Sequence, residues 1–189
     1  MISKQLSEMK LETKRLVLEK LEMKHDKAFY SYRSDVETNK YQGWIPYALE
    51  DCQHFIKNRI AKEFNEPGTW YQFAIILQDS NEMIGDFGVH FLDGDEHQVE
   101  IGCTINKKHH RKGYAKEAAN AIINHLFCNL KKHRIIASVD PLNTPSILLI
   151  EKLGFRKEAH FKESILINGQ WVDDVIYAIL GKEWATTAT

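Results

Sequence analysis

Along the chain the apolar positions repeat with a period of two residues in some stretches and about 3.6 in others, and each switch marks a change of element. Within residues 11–23, the segment 15–21 alternates apolar and polar positions and predicts a first strand. Helical spacing follows near residues 24–35 and again near 49–64, where Cys52, Phe55, Ile56 and Ile60 share one face. Between these helices lies an aromatic loop, Tyr41-Gln42-Gly43-Trp44-Ile45-Pro46-Tyr47. Three strand-like runs come next, at residues 70–78, 83–92 and 98–106, separated by Asp79-Ser80-Asn81 and Asp93-Gly94-Asp95. Short polar turns between such runs predict antiparallel hairpins. In the third run Val99, Ile101, Cys103 and Ile105 alternate with Gln98, Glu100, Gly102 and Thr104, so one face goes to the core and the other carries a carboxylate beside a glycine.

The period then lengthens. Ala115, Ala118, Ala119, Ile122, Ile123, Leu126, Phe127 and Leu130 recur at helical spacing and predict an amphipathic helix over residues 114–131. A buried strand at 135–139 follows, and Asn143-Thr144-Pro145 supplies a cap and a first-turn proline for a helix through Leu153 that Gly154 closes. Asn168-Gly169 marks the tip of a final hairpin whose second strand ends at residues 175–180. The order is β-α-α-β-β-β-α-β-α-β-β, which packs as an α/β (α+β) domain with a central mixed sheet and helices on its faces. One domain over residues 1–189, with its core at about 11–184, is expected, because no repeat or linker interrupts it.

Composition narrows the function classes. Lys plus Arg is 25 against 26 for Asp plus Glu, so the basic excess of a nucleic-acid binder is missing. No run approaches a membrane span, and the first ten residues lack the apolar run of a signal peptide. Three cysteines, Cys52, Cys103 and Cys128, without paired spacing suit a reducing cytoplasm. Cys52-x-His54 and His109-His110 lack zinc-ligand spacing, so no metal is expected. Neither nucleic acid nor membrane is an expected partner, and the chain is compatible with a monomer or a homodimer.

Candidate chemistry begins at His109-His110-Arg111-Lys112-Gly113-Tyr114-Ala115, between a strand and a helix. Such a loop leaves main-chain N–H groups unpaired at the positive end of the helix dipole, where a diphosphate can dock. Gly113 allows close approach, and Arg111 and Lys112 add charge. A plain capping turn with solvated basic residues is the competing reading. The Gly-Lys-Ser/Thr ending of a P-loop and the three-glycine spacing of a Rossmann fingerprint are both missing.

The spacing His110-x-x-Gly113-x-Ala115 resembles the Gln/Arg-x-x-Gly-x-Gly/Ala loop of the GNAT acetyltransferases, with His at the first position. The segment Asn143-Thr144-Pro145-Ser146 through Glu151-Lys152-Leu153-Gly154-Phe155 is similar to a further motif of that family. So are the opening Leu11-Glu12-Thr13-Lys14-Arg15-Leu16-x-Leu18 and the ending Asn168-Gly169…Asp174…Tyr177…Leu180…Glu183-Trp184. Together they resemble the branch of the ribosomal-protein N-terminal acetyltransferases RimJ and RimL. The resemblance implies a GNAT fold with a splayed parallel strand pair around residues 98–106 and 134–139. It implies acetyl-CoA as co-substrate, without a metal, and a primary amine as acceptor, either a protein N-terminus or a small molecule.

By the same resemblance the pantetheine arm pairs near Cys103, Thr104 and Ile105, with Gly102 helping the strand to bulge. The diphosphate sits on His110, Arg111, Lys112, Gly113, Tyr114 and Ala115. Glu100 is the candidate general base, against a solvated strand glutamate paired across the sheet with a basic residue. A tyrosine proton donor is missing, because its place is held by Ile150. Ser146 is the candidate partner of the leaving thiol or else a helix cap, and Asn143 a pantetheine contact, a cap, or both. Tyr41 and Trp44 either wall the acceptor pocket, with Glu100, or fill the core. A non-catalytic acyl-CoA sensor and a nucleotide-binding module are the alternatives on the same loop.

Overall fold

The computed structural model describes residues 9–167 and 169–187. Eight strands form one sheet in the order β1-β2-β3-β4-β5-β6-β8-β7: β1 (Lys10–Glu12), β2 (Leu16–Lys20), β3 (Thr69–Leu77), β4 (Met83–Phe91), β5 (Gln98–Ile105), β6 (Arg134–Val139), β7 (Arg156–Ile167) and β8 (Gln170–Leu180). Six helices accompany them: α1 (Asp26–Arg33), α2 (Val36–Asn39), α3 (Leu49–Asn58), α4 (Tyr114–Cys128), α5 (Thr144–Lys152) and α6 (Gly181–Thr187). Every neighbouring pair of strands is antiparallel except β5 and β6, which α4 connects as a parallel crossover. The mixed, mostly antiparallel sheet agrees with the reading from the sequence.

Several expected elements differ in detail. The first strand is a hairpin, because the Thr13 main chain donates to the Leu16 carbonyl (2.9 Å) and the Leu16 N–H donates to the Thr13 hydroxyl (3.0 Å), folding residues 13–16 into a turn. The helix expected to reach residue 64 stops at Asn58. Phe64 is needed on the opposite side of the sheet, where it packs edge-on against Tyr71 and Phe91 with ring centroids 5.0 and 5.1 Å away. A helix continuing past Asn58 could not deliver it there. The bulge expected at Gly102 is absent: β4 and β5 stay in regular register from Gly85↔Ile105 to Phe91↔Val99. Asn168 of the expected hairpin tip lies outside the described residues. Its neighbour Gly169 has φ +80°, and Ile167 pairs with Gln170.

The two faces of the sheet are covered unequally. On one face the apolar residues of α4, with Ile150, Leu153 and Trp184, pack on Val99, Ile101, Ile105, Ile135, Ala137, Val139, Val175, Tyr177 and Ile179. On the other, Leu21, Phe29, Tyr32, Cys52 and Ile56 close over Ala74, Ile76 and Met83. That second layer reaches β3 and β4 and leaves Gly102 on β5 and Ser138 on β6 exposed.

A buried polar cluster fixes the edge of this second layer. The Asp86 carboxylate has no exposed surface and accepts from the Tyr32 hydroxyl (2.7 Å), from Arg33 Nε (3.0 Å) and from the Gln72 amide. Arg33 also reaches Asp86 Oδ2 at 2.5 Å, so the fork engages both oxygens. Burial, with Asp86 adding to it, pushes the Tyr32 phenol well above its usual range and keeps it a donor. Removing Arg33 would strand a buried anion, which typically costs about 3–5 kcal/mol. Arg33→Ala is therefore expected to lose that much stability by urea unfolding. A change under about 1 kcal/mol would mean the cluster does not hold α1 to the sheet.

Candidate active site

The order of hydrogen bonds along β5 sets up the site. Asn106 N–H donates to the Ile84 carbonyl at 2.8 Å, so by antiparallel alternation the even-numbered residues of β5 turn their main-chain groups to β4. The odd-numbered ones, Ile101, Cys103 and Ile105, turn theirs toward β6. There the pairing runs out: β5 and β6 pair only at Gln98↔Arg134, Val99↔Ile135 and Glu100↔Ile136, the last of which uses the Ile101 N–H, and beyond it Cys103 and Ile105 have no strand partner. The Ile105 carbonyl is met instead by the His110 ring, Nε2 at 2.7 Å, which closes the far end of the gap. Cys103 sits beside the gap with its thiol pushed up by burial, which makes it inert. Thr104 differs from its neighbours: its main chain faces β4, opposite Asp86, and only its side chain is turned to the second face.

The gap opens onto the loop before α4. A single 3-10 turn, Lys107–His109, leads into it; Arg111 (φ +62°) and Gly113 (φ +82°) then take left-handed conformations, and Gly113 caps the helix. Glu117 N–H is the first in α4 to find a partner, the Gly113 carbonyl at 3.1 Å. The N–H groups of Arg111, Lys112, Gly113, Tyr114, Ala115 and Lys116 have none among the described residues. A concave run of free donors at the start of a 15-residue helix fits a diphosphate in geometry and sign. A Cβ on Gly113 would meet only the Arg15 guanidinium, at 3.5 Å, so the positive φ rather than crowding is what asks for glycine there.

Residues outside the loop hold its shape; from the sequence, Thr13 and Arg15 belonged to the opening motif and Arg15 to the first strand, with no contact to the loop assigned. Arg15 donates to the Lys112 carbonyl (3.0 Å), pairs with Glu117 (2.6 Å) and lies over the Tyr114 ring at 4.5 Å. The Thr13 hydroxyl donates to Glu117 at 2.7 Å. Burial opposes the charge on Glu117, but these donors hold its pKa below the ordinary glutamate value.

Glu100 lies in a row that crosses the sheet: Trp70, His90, Glu100, Ile136 and Ala178 are successive register partners. His90 stacks on Trp70 with centroids 4.8 Å apart, and its Nδ1 stands 3.6 Å from Glu100 Oε2, beyond hydrogen-bond range. Burial raises the Glu100 pKa above the ordinary value; His90 opposes that shift and the Asp174 carboxylate adds to it. Asp174, on β8, is buried and accepts from the Ser138 hydroxyl at 2.7 Å. His90, Ser138 and the role of Asp174 were not singled out in the sequence. The available signal was periodicity: Asp174 interrupts the face that Val172, Ile176 and Ala178 would otherwise make apolar.

On the far side of the gap, Asn143 is the N-cap of α5, its side-chain Oδ1 accepting from Ser146 N–H at 3.3 Å. Ser146 is therefore not the cap: it occupies the third helical position, and its hydroxyl has no partner among the described residues. Tyr41 donates to the Leu142 carbonyl (3.0 Å) and so ties the aromatic loop to the turn before α5. Trp44 stacks on Phe55 with centroids 4.9 Å apart, at the rim of the second apolar layer. No three His, Cys, Asp or Glu side chains converge as metal ligands among the described residues, and no described helix is long and apolar enough to cross a membrane.

A parallel strand pair that parts beside a helix N-terminus defines an acyl-CoA-type transferase scaffold, and comparison with known proteins agrees. The acetyltransferase (GNAT) domain family matches residues 15–156. The N-acetyltransferase YnaD of Bacillus subtilis (strain 168), itself uncharacterised, is 37% identical over 176 residues, 93% of this chain and 99% of that one. The [ribosomal protein uS5]-alanine N-acetyltransferase of Escherichia coli (strain K12) is 35% identical over 124 residues, 65% of this chain and 63% of that one. The crystal structure of a GNAT-family acetyltransferase from Bacillus anthracis superposes with a TM-score of 0.82 at 37% identity, covering 93% of this chain and 100% of that one. The chain belongs to the GNAT acetyltransferase family, and it is an acyl-CoA-dependent N-acetyltransferase.

The capping geometry makes a clean expectation. Asn143→Ala should cost about 0.5–2 kcal/mol of stability, while Ser146→Ala, away from any cap, should stay within about 0.5 kcal/mol of the parent. Paired thermal melts check both, and equal losses would contradict the assignment of the cap.

Proposed function

We propose that this enzyme transfers the acetyl group of acetyl-CoA to a primary amine that enters from the open face of β5, β6 and β8. The observation that carries the reading is the parting of β5 and β6 after Glu100↔Ile136, directed at a loop of unpaired N–H groups. An extended pantetheine arm can take the missing strand's place on Cys103 and Ile105, while the Thr104 side chain approaches from the second face. The diphosphate sits on the N–H groups from Arg111 to Ala115, and His110 shapes the end of the channel. Relatives that acetylate a ribosomal protein N-terminus support an amine acceptor. The chain's near-neutral charge selects neither an α-amine of a protein nor a small molecule.

The chain's own residues divide the proton chemistry. An alkylammonium loses two protons on becoming an amide. Glu100, on the open face and with its pKa raised by burial, takes one and passes it to water. The other ends on the departing sulfur, and the unpartnered Ser146 hydroxyl is placed on α5 to hydrogen-bond there. Tyr41 and Trp44 form the outer wall, Tyr41 through its link to Leu142 and Trp44 as the rim of the apolar layer.

Two measurements test this. Gly113→Val forces a β-branched residue to φ +82°, a strain of about 1–2 kcal/mol that the loop escapes by changing shape. CoA affinity by calorimetry should fall about tenfold or more, and unchanged affinity in a folded variant would remove the loop as the diphosphate site.

Glu100→Gln keeps shape and removes the base, so turnover near neutral pH should fall about 10²–10⁴-fold with the deficit shrinking at high pH. Parallel pH–rate profiles of equal height would exclude Glu100 as base. Stability should move the other way. With a raised pKa the folded state holds this proton at pH values where the unfolded chain has released it. Stability is therefore lost as pH rises through that window, and the glutamine variant should be no less stable at pH 7.

A further inference from the structure

Two carboxylates are buried among the described residues, Asp86 and Asp174, and several more exposed ones pair with cations. Asp86 meets Arg33, Glu117 meets Arg15, Glu158 meets Arg134 and Arg156, and Asp173 meets Lys162 and His160. Asp174 is 8% exposed, yet its only side-chain partner among the described residues is the neutral Ser138 hydroxyl. Glu100 has the His90 ring at 3.6 Å and no lysine or arginine. Neither carboxylate therefore has a full counter-charge among the described residues.

Both side chains belong to one face. By register, Glu100 lies level with Ile136 and Ala178, and Ser138 with Ile176; Asp174 follows two residues along β8 on the same face. The floor between them is exposed: Gly102 has no heavy atom within 4 Å of where a Cβ would stand, and Ser138 is open to solvent. A third polar group borders this space. Thr104 shares the face of Glu100 and Gly102, is 5% exposed, and its hydroxyl has no partner among the described residues. An unmet hydroxyl and two carboxylates without cations thus surround one vacant floor beside the gap between β5 and β6.

We propose that Asp174 is a specificity-determining residue: with Glu100 it forms a two-carboxylate seat that binds the acceptor as an alkylammonium cation. The missing counter-charge is the substrate's own. Glu100 belongs to the last pair before the strands part, so the ammonium sits against it at the mouth of the gap. Asp174, held in orientation by Ser138, fixes the cation from the β8 side. The Thr104 hydroxyl accepts a hydrogen bond from the same group. After Glu100 has removed one proton, Asp174 still favours the positive charge that develops on nitrogen as the C–N bond forms and the C–S bond breaks. Neutral arylamines of similar size gain nothing from such a seat, which gives the site a sign preference and not merely a shape.

The inference rests on the acetyl-transfer reading above, and the test separates the two. The probes are benzylamine, 1,4-diaminobutane and alanylalanine amide as alkylammonium acceptors, with aniline, uncharged at neutral pH, as the comparison. Thiol release from acetyl-CoA is followed for wild type, Asp174→Asn and Asp174→Glu. Hydrogen bonds to charged groups of this kind correspond to about 10- to 100-fold. Asp174→Asn should therefore raise the KM of the alkylammonium acceptors and reduce the preference for benzylamine over aniline by that factor. The KM of acetyl-CoA should not move, the melting temperature should hold or rise, and Asp174→Glu should recover part of the preference. An unchanged preference, or acceptor and acetyl-CoA constants that rise together with a lower melting temperature, would overturn the proposal in favour of a structural aspartate. If wild type releases no thiol with any probe, the acetyl-transfer reading fails for these acceptors. Calorimetry of the three ammonium probes on the acetyl-CoA complex then decides the seat: binding lost in Asp174→Asn retains it, and absence of binding to wild type removes it.

Discussion

Two parallel strands that begin paired and then separate are the constraint around which the rest of this protein is arranged. A sheet interior has no tolerance for unpaired main-chain groups, so a gap between β5 and β6 is stable only if something else meets them. Part of the answer is internal, with His110 reaching back to the Ile105 carbonyl. The remainder is left open beside the N-terminus of α4, where the free N–H groups carry the opposite requirement, for an anion. A ligand with an amide-bearing arm and a diphosphate satisfies both needs along one line. The gap, the loop and the cofactor class are in this sense a single structural fact.

The fold spends its strongest polar contacts on either side of that gap and almost none within it. Arg33, Tyr32 and Gln72 saturate Asp86 and lock α1 against β4. Arg15 and Thr13 saturate Glu117 and hold the loop from behind. Between these two clusters, Glu100, Asp174, Thr104 and Ser146 are left with few partners or none. Polar groups left in this state are desolvated and oriented with their hydrogen-bonding capacity unused, which is the condition that preorganised sites require. The raised pKa of Glu100 follows from the same economy, since burial acts on it without a full counter-charge to cancel the effect.

Support for the loop comes from far away in sequence. Arg15 stands in the turn of the β1–β2 hairpin, about a hundred residues before the Lys112 carbonyl it holds. The order β2-β3-β4-β5 brings the first strand to the side of the sheet that α4 covers, so its turn arrives beneath the start of that helix. Such a contact depends on the whole sheet being assembled, which couples the geometry of the turn before α4 to global folding rather than to local propensity.

What the sequence determined by itself is the part of this protein that depends on short-range chemistry. Alternation in residues 98–105 separated an apolar face from one bearing Glu100 and Gly102, and the spacing of Ala118, Ile122 and Leu126 defined α4. Asn143 ahead of Thr144-Pro145 defined the start of α5, and the Gly113 loop was legible as a helix N-terminus open to an anion. Each of these is fixed by neighbours within a few residues, where propensity and periodicity act. Strand pairing is different, because the partner of a main-chain group is chosen by topology and register. Only the tertiary structure decided that β5 and β6 part after Glu100, that the expected bulge is unnecessary, that Ser146 is not the cap, and that His90 faces Glu100. It alone brought Asp174 to the same floor from 74 positions further along the chain, since burial and the absence of a counter-ion are properties of the assembled surface and of no segment within it.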